Sequence, residues 1–218
     1  MKGMFEDKPH FPIYTCVWNV NILFRFFRKI PNQSELPLKI LGKKLTILLG
    51  ILAGGQRSQT IHTIKCTDIV VVNDKCIIPI YDPVKQTKDG KHMEPLKFKV
   101  FHEEKLCPIQ NLTTYLQRTK SFRTGPELFI SYQKPYHAVS KDTITRWVND
   151  IMGKAGIDIS KYVTHSCRAA ASSYAFNKKV SLKRIMDSCG WSSERTFANH
   201  YRKQIQDNST IGEQLLTR

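Results

Sequence analysis

Thr164-His165-Ser166-Cys167-Arg168-Ala169-Ala170-Ala171-Ser172, then Gly190-Trp191-Ser192-Ser193-Glu194, then Tyr201: on these three stations the reading of the chain turns. His165 and Arg168 stand three positions apart, so on a helix they project from one face. The alanines and Ser172 behind them make a helix narrow enough to lie close against another element. A lone His-x-x-Arg is common, and by itself it describes a histidine at a helix start and a solvated arginine. Here it has ordered company. Upstream lies Gly54-Gly55-Gln56-Arg57-Ser58-Gln59-Thr60, and between the two lies the polar, basic turn Gln86-Thr87-Lys88-Asp89-Gly90.

Working outward, Leu38, Leu41, Leu45, Leu48, Leu49 and Leu52 trace a helical face that stops at Gly54-Gly55, a C-cap signal. A short helix over 57–64 follows. Apolar or alternating runs at 68–72 and 75–80 flank Asn73-Asp74, a hairpin turn, and a third run covers 96–101. Beyond Cys107 the pattern is helical over about 107–121, 140–155, 164–176, 181–189 and 194–205. The fold class is therefore mainly α with one small antiparallel β-sheet (α+β). Residues 1–34, interrupted by Pro9, Pro12 and Pro31, read as a lead-in. Its one useful helix, 17–28, carries apolar residues that must pack on the following domain or on a partner.

Composition narrows the partner. Of the 218 residues, 34 are Lys or Arg and 18 are Asp or Glu, a net charge of +16 that favours a polyanion. Nucleic acid leads, because each neutralised phosphate releases counterions. The basic residues are scattered and do not line one amphipathic helix, which argues against a membrane surface. The most apolar stretch, 45–53, is far too short to span a bilayer. Six cysteines form no CxxC pair and no histidine cluster has zinc spacing, so reduced thiols in an intracellular protein and no metal are expected.

Arg57, a lysine on a strand turn, His165-x-x-Arg168, Gly190-Trp191 and then Tyr201, in that order, resemble the catalytic domain of the tyrosine recombinase (phage integrase) family over about 36–205. Arg-Ser-Gln-Thr and Gly-Trp-Ser-Ser-Glu look most like the recombinases of crypton-type and DIRS-like eukaryotic transposable elements. The resemblance implies the tyrosine recombinase catalytic-domain fold, double-stranded DNA as substrate, a tetrameric homo-oligomeric synapse, a nuclear location and no cofactor. It implies DNA cleavage through a 3′-phosphotyrosine, with site-specific recombination or integration of a mobile element as the outcome. Domain boundaries follow: 1–34 as lead-in or linker, too short for the family's helical core-binding domain, and 35–218 as the catalytic domain. That domain is then a catalytic half, a fragment or a truncated element copy.

The chemistry accounts for the residue types. A phosphodiester repels nucleophiles, and its transition state gathers charge on the nonbridging oxygens. Arg57 and Arg168 can grip those oxygens and stay protonated. Tyr201 is the candidate nucleophile, the only one of eight tyrosines that follows the Gly-Trp element. The leaving 5′ oxygen needs a proton, which the resemblance assigns to Lys88, with Lys85 and Lys91 near enough to leave the register open. His165 suits proton movement from Tyr201, and the Trp191 indole can donate to a phosphate oxygen while packing the tyrosine segment. Where many members carry an acidic residue three positions after the first arginine, this chain has Thr60, so bracing there is expected from neutral hydrogen bonds. Two other readings share these residues: a DNA-binding module of mobile-element origin that no longer recombines, and a type IB topoisomerase.

Overall fold

The computed structural model describes residues 16–84, 93–191 and 193–206. The elements in chain order are β1 (Cys16–Val17), α1 (Val20–Lys29), α2 (Leu38–Leu52), α3 (Ser58–His62), β2 (Val70–Val72), β3 (Lys75–Ile78), β4 (Leu96–Lys99), α4 (Pro108–Thr119), α5 (Lys141–Lys154), α6 (Ser166–Asn177), α7 (Leu182–Cys189), α8 (Glu194–Thr196) with a π-helical turn Phe197–Tyr201, and β5 (Gln204–Ile205). Strands β2, β3 and β4 form one antiparallel sheet in that order, and β1 pairs with β5 in parallel. The mainly helical class with one small antiparallel sheet thus holds. The Asn73-Asp74 hairpin is a two-residue turn in which Val72 faces Lys75 and Asn73 takes a positive φ.

Helix α2 is the axis of the molecule. One face was expected to be buried, yet residues 41–51 are buried all round, Lys43 and Lys44 included. The reason is layering on both sides. Leu41, Leu45 and Leu49 join the sheet residues Cys76, Ile78, Leu96 and Phe98 together with α4 and Trp147 of α5. Ile47, Leu48 and Ile51 join α1, α5 and α6 in a second core. Gly42 lets the axis sit close to its neighbours, since a Cβ there would stand 3.3 Å from the Tyr115 ring.

The lead-in helix packs on the domain that follows it. Asn19 caps α1 by accepting the Asn21 N–H at 3.0 Å, and Val20, Leu23 and Phe27 bury one stripe against α2 and α6. It begins later than expected because Cys16–Val17 extend alongside β5. Residues 16–29 are therefore part of the folded body. A second correction concerns 194–205, read as one helix. The helix ends at Tyr201, where Ser173 Oγ donates to the Tyr201 carbonyl at 2.5 Å and accepts the Lys203 N–H at 3.0 Å, turning the chain into β5. Helix α7 ends at Gly190, in the left-handed region (φ 65°), with the Trp191 N–H donating to the Met186 carbonyl at 2.9 Å. That cap aims Trp191 back toward α6.

Candidate active site

The turn after α2 builds the site. Gly54 and Gly55 both have positive φ, but their role exceeds capping. A Cβ on Gly55 would stand 2.5 Å from the Arg168 Cα, so the turn lies directly on the backbone of α6. Gln56 staples the same turn to the end of α7, its side-chain amide donating to the Ala53 carbonyl at 2.6 Å and the Ser188 carbonyl at 2.7 Å. The Cys189 thiol donates to the Gly54 carbonyl at 2.9 Å. Arg57 follows in extended conformation at the start of α3, half-buried and beside Arg168.

Arg168 is 2% exposed, an extreme setting for a guanidinium. It donates to the Gly55 carbonyl at 3.3 Å and to the Cys189 carbonyl. Its carbon lies 4.7 Å from the centre of the Trp191 ring and 5.7 Å from that of Tyr201. Burial lowers its pKa; Cys189 opposes the shift, the nearby Arg57 charge adds to it, and Tyr201 opposes it. Backbone carbonyls and aromatic faces therefore take the part usually given to carboxylates. Two donors of this cluster, Arg168 Nε and Trp191 Nε1, are buried with no hydrogen-bond partner among the described residues.

Trp191 and Tyr201 stack with ring centres 4.4 Å apart and planes 29° apart. Phe197 wedges beneath, 5.5 Å from Trp191 and 5.7 Å from Phe176, tying the π-helical turn to α6 and α7. His165 sits just before α6, exposed, its ring centre 6.4 Å from that of Tyr201. Its backbone is placed by Thr164, whose hydroxyl and N–H both bond Asn149 Oδ1, at 2.6 and 2.9 Å. A cleft of about 350 Å³ opens beside His165 and Arg168, lined by them together with Arg57, Gln59, Lys141 and Thr145.

Five of the six residues singled out from sequence thus surround one place: Arg57, His165, Arg168, Trp191 and Tyr201. Lys88, with Lys85 and Lys91, lies outside the described residues. Met93, Pro95 and Leu96, downstream of that turn, line a second cleft together with Trp191 and Ser188. Thr60 departs from expectation. It is fully buried, and its hydroxyl has no hydrogen-bond partner among the described residues, so the bracing comes from Gln56. Gln56, Thr164 and Asn149 carried no sequence signal of their own. Lys141 was equally silent, one lysine among many, brought to the cleft by the Ser140 cap that starts α5. No group of three His, Cys, Asp or Glu side chains among the described residues could hold a metal ion, and no helix there is long and apolar enough to cross a membrane.

Comparison with known proteins identifies the family and the fold. The model of the phage integrase family matches residues 27–207. Among solved structures, XerH site-specific recombinase bound to its palindromic difH substrate in a post-cleavage complex superposes with a TM-score of 0.62 at 22% identity, covering 84% of this chain and 48% of that one. XerA recombinase gives 0.62 at 18% identity over 96% of this chain and 66% of that one. A lambda integrase dimer bound to a COC′ core site gives 0.52 at 16% identity over 90% of this chain and 51% of that one. This chain spans about half the length of the XerH and lambda integrase chains. No curated protein matches the sequence. The chain belongs to the phage integrase family and has the tyrosine recombinase catalytic-domain fold.

Proposed function

We propose that this chain cleaves and rejoins double-stranded DNA through Tyr201, forming a 3′-phosphotyrosine and releasing a 5′ hydroxyl. The observation that carries the reading is the packing of the Tyr201 phenol against Trp191 and Arg168, with His165 and Arg57 on the same cleft. A phosphate seated there would meet both guanidiniums, and its oxygens would take up Arg168 Nε and Trp191 Nε1, buried donors with no partner among the described residues. The phosphorus accepts the phenolate oxygen as the bond to the 5′ oxygen breaks. The phenol proton leaves toward His165, and the lysine of the β3–β4 turn, Lys88 in our assignment, protonates the leaving oxygen. Conserving the bond as a phosphotyrosine ester lets the 5′ hydroxyl reverse the step without an energy source.

The wider setting is proposed on the same footing. The net charge of +16 suits DNA. A lambda integrase tetramer has been solved on a Holliday junction, which supports a tetrameric synapse for this chain as well. The Arg57-Ser58-Gln59-Thr60 and Gly190-Trp191-Ser192-Ser193-Glu194 signatures favour a crypton-type or DIRS-like mobile-element recombinase acting in the nucleus.

A suicide substrate, in which the released strand diffuses away after cleavage, tests the reading. Wild type is expected to yield a covalent protein–DNA adduct that is absent from Tyr201→Phe. DNA binding with no adduct on any site would reduce the chain to a binding module. Supercoil relaxation without sequence preference would make it a topoisomerase.

A further inference from the structure

The segment that precedes the domain touches both halves of the active site through adjacent residues. Trp18, 2% exposed, donates its indole N–H to Ser166 Oγ at 2.9 Å, one residue after His165 and on the helix that carries Arg168. Val17, fully buried, lies beside Ile205 in the parallel β1–β5 pair, and its carbonyl accepts the Gln206 N–H at 2.6 Å. The Gln206 side chain is held as well, accepting from the Tyr162 hydroxyl at 2.9 Å. Arg202 and Lys203 alone separate Tyr201 from β5, so a paired β5 keeps the Tyr201 Cα within about 11 Å of Gln204. The Ser173 clamp shortens that leash further, because one α6 hydroxyl holds both the Tyr201 carbonyl and the Lys203 N–H.

We infer that residues Cys16–Trp18 are a positioning element for the nucleophile. They fix the start of α6 with one residue and the chain just beyond Tyr201 with the next, and so set the phenol against His165 and Arg168. This rests on the proposed role of Tyr201. The seating of the N-terminal segment is then coupled to strand cleavage, although none of its side chains lines the cleft over Arg57 and Arg168. An element of this kind changes the rate of attack and leaves the grip on DNA alone, because it acts on the placement of one group.

The variant Gln206→Pro removes the N–H given to Val17, whereas Gln206→Ala keeps it and deletes only the bond from Tyr162. In the full chain, adduct formation at saturating DNA is expected to fall at least tenfold in Gln206→Pro and less than threefold in Gln206→Ala, with half-saturating DNA unchanged in both. Nitration of Tyr201 by tetranitromethane without DNA, mapped by mass spectrometry, is expected to rise in Gln206→Pro. Trp18→Phe keeps the buried ring and loses the N–H, and is expected to slow adduct formation severalfold. It carries the test if Gln206→Pro does not fold. Wild-type or faster adduct formation by Gln206→Pro would overturn the inference. Should wild type form no adduct on any DNA, the reading of Tyr201 as nucleophile falls, and nitration alone then decides. Equal nitration of Tyr201 in wild type and Gln206→Pro would sink the positioning role.

Discussion

The Trp191 indole lies stacked on the Tyr201 ring, centres 4.4 Å apart, and the same indole faces the Arg168 guanidinium at 4.7 Å. One side chain thereby holds the Tyr201 ring and the Arg168 guanidinium to a common geometry. Its N–H is buried with no hydrogen-bond partner among the described residues, and on the proposed reading it donates to a phosphate oxygen.

These two roles separate by substitution. Trp191→Phe keeps a ring for the stack and deletes the donor, and a hydrogen bond to a charged oxygen is worth roughly 1.5 kcal/mol. Adduct formation should therefore fall about tenfold with the melting temperature nearly unchanged. Trp191→Ala loses the stack too and should fall about a hundredfold. Suicide-substrate rates beside thermal melts check this; equal rates for Phe and wild type would leave Trp191 a packing residue.

The two arginines should part company in stability and not in activity. Arg168 is buried and satisfies the carbonyls of Gly55 and Cys189, which a lysine cannot do in the same fork geometry. Arg168→Lys is expected to cost about 2–3 kcal/mol of stability, because buried carbonyls lose their donors. Arg57 is half-buried, and Arg57→Lys should stay within about 0.5–1 kcal/mol of wild type. Both should lower adduct formation by about a hundredfold or more, each removing a fixed donor from the developing charge. Denaturant unfolding and the cleavage assay together make the comparison.

Motif order and helical periodicity carried most of the fold, and five residues singled out by their order in the chain meet in space. For Arg57, His165, Arg168, Trp191 and Tyr201 the family resemblance supplied the order, and the proposed phosphoryl chemistry accounts for the residue types. What could not be read arises where tertiary contact overrides local pattern. Leu38, Leu41 and Leu45 announce a one-faced helix, yet α2 is covered on every side because two cores meet on it. The helix through 194–205 stops early for want of a signal: the Ser173 hydroxyl that ends it lies on another helix. Gln56 likewise gains its role only when α7 arrives with the Ser188 carbonyl.

Lys44 gives the protein an unusual pH profile. It is fully buried against Phe27, its ammonium 5.5 Å from the ring centre and without a hydrogen-bond partner among the described residues. Burial, helped by the Lys105 charge, lowers its pKa to about 8. The unfolded chain keeps that proton up to about pH 10.4. From about pH 8 to 10.4 the unfolded state therefore binds more protons, and the Lys44 contribution to stability rises with pH. Below pH 8 the full penalty applies, about 3 kcal/mol at 1.36 kcal/mol per pKa unit. Lys44→Met should stabilise the protein at pH 7 by about 2–3 kcal/mol and show no such rise. Cys76 and Cys189, both pushed up to about 11 by burial, act oppositely above about pH 9. The difference between variant and wild type, followed by denaturant titration from pH 7 to 10, isolates the lysine.

Gly55 is the most exacting position in the site. Two penalties meet there: a φ of +82°, and a Cβ position 2.5 Å from the Arg168 Cα and 3.1 Å from its carbonyl oxygen. Backbone cannot swing aside as a side chain can, so an alanine must push α6 away from the turn. Gly156 supplies the control, with φ +87° and nothing within 4 Å of its Cβ position. There alanine meets backbone strain alone, about 1–2 kcal/mol. Gly55→Ala should cost that amount plus the displacement of α6, at least about 3 kcal/mol in all. The displacement moves Arg168 relative to Arg57, and a shift near 1 Å in such a site costs roughly a hundredfold in rate. Gly55→Ala is thus expected to lose adduct formation even below its melting temperature, while Gly156→Ala cleaves like wild type. Equal melting temperatures for the two variants would mean that the turn does not bear on α6 as described.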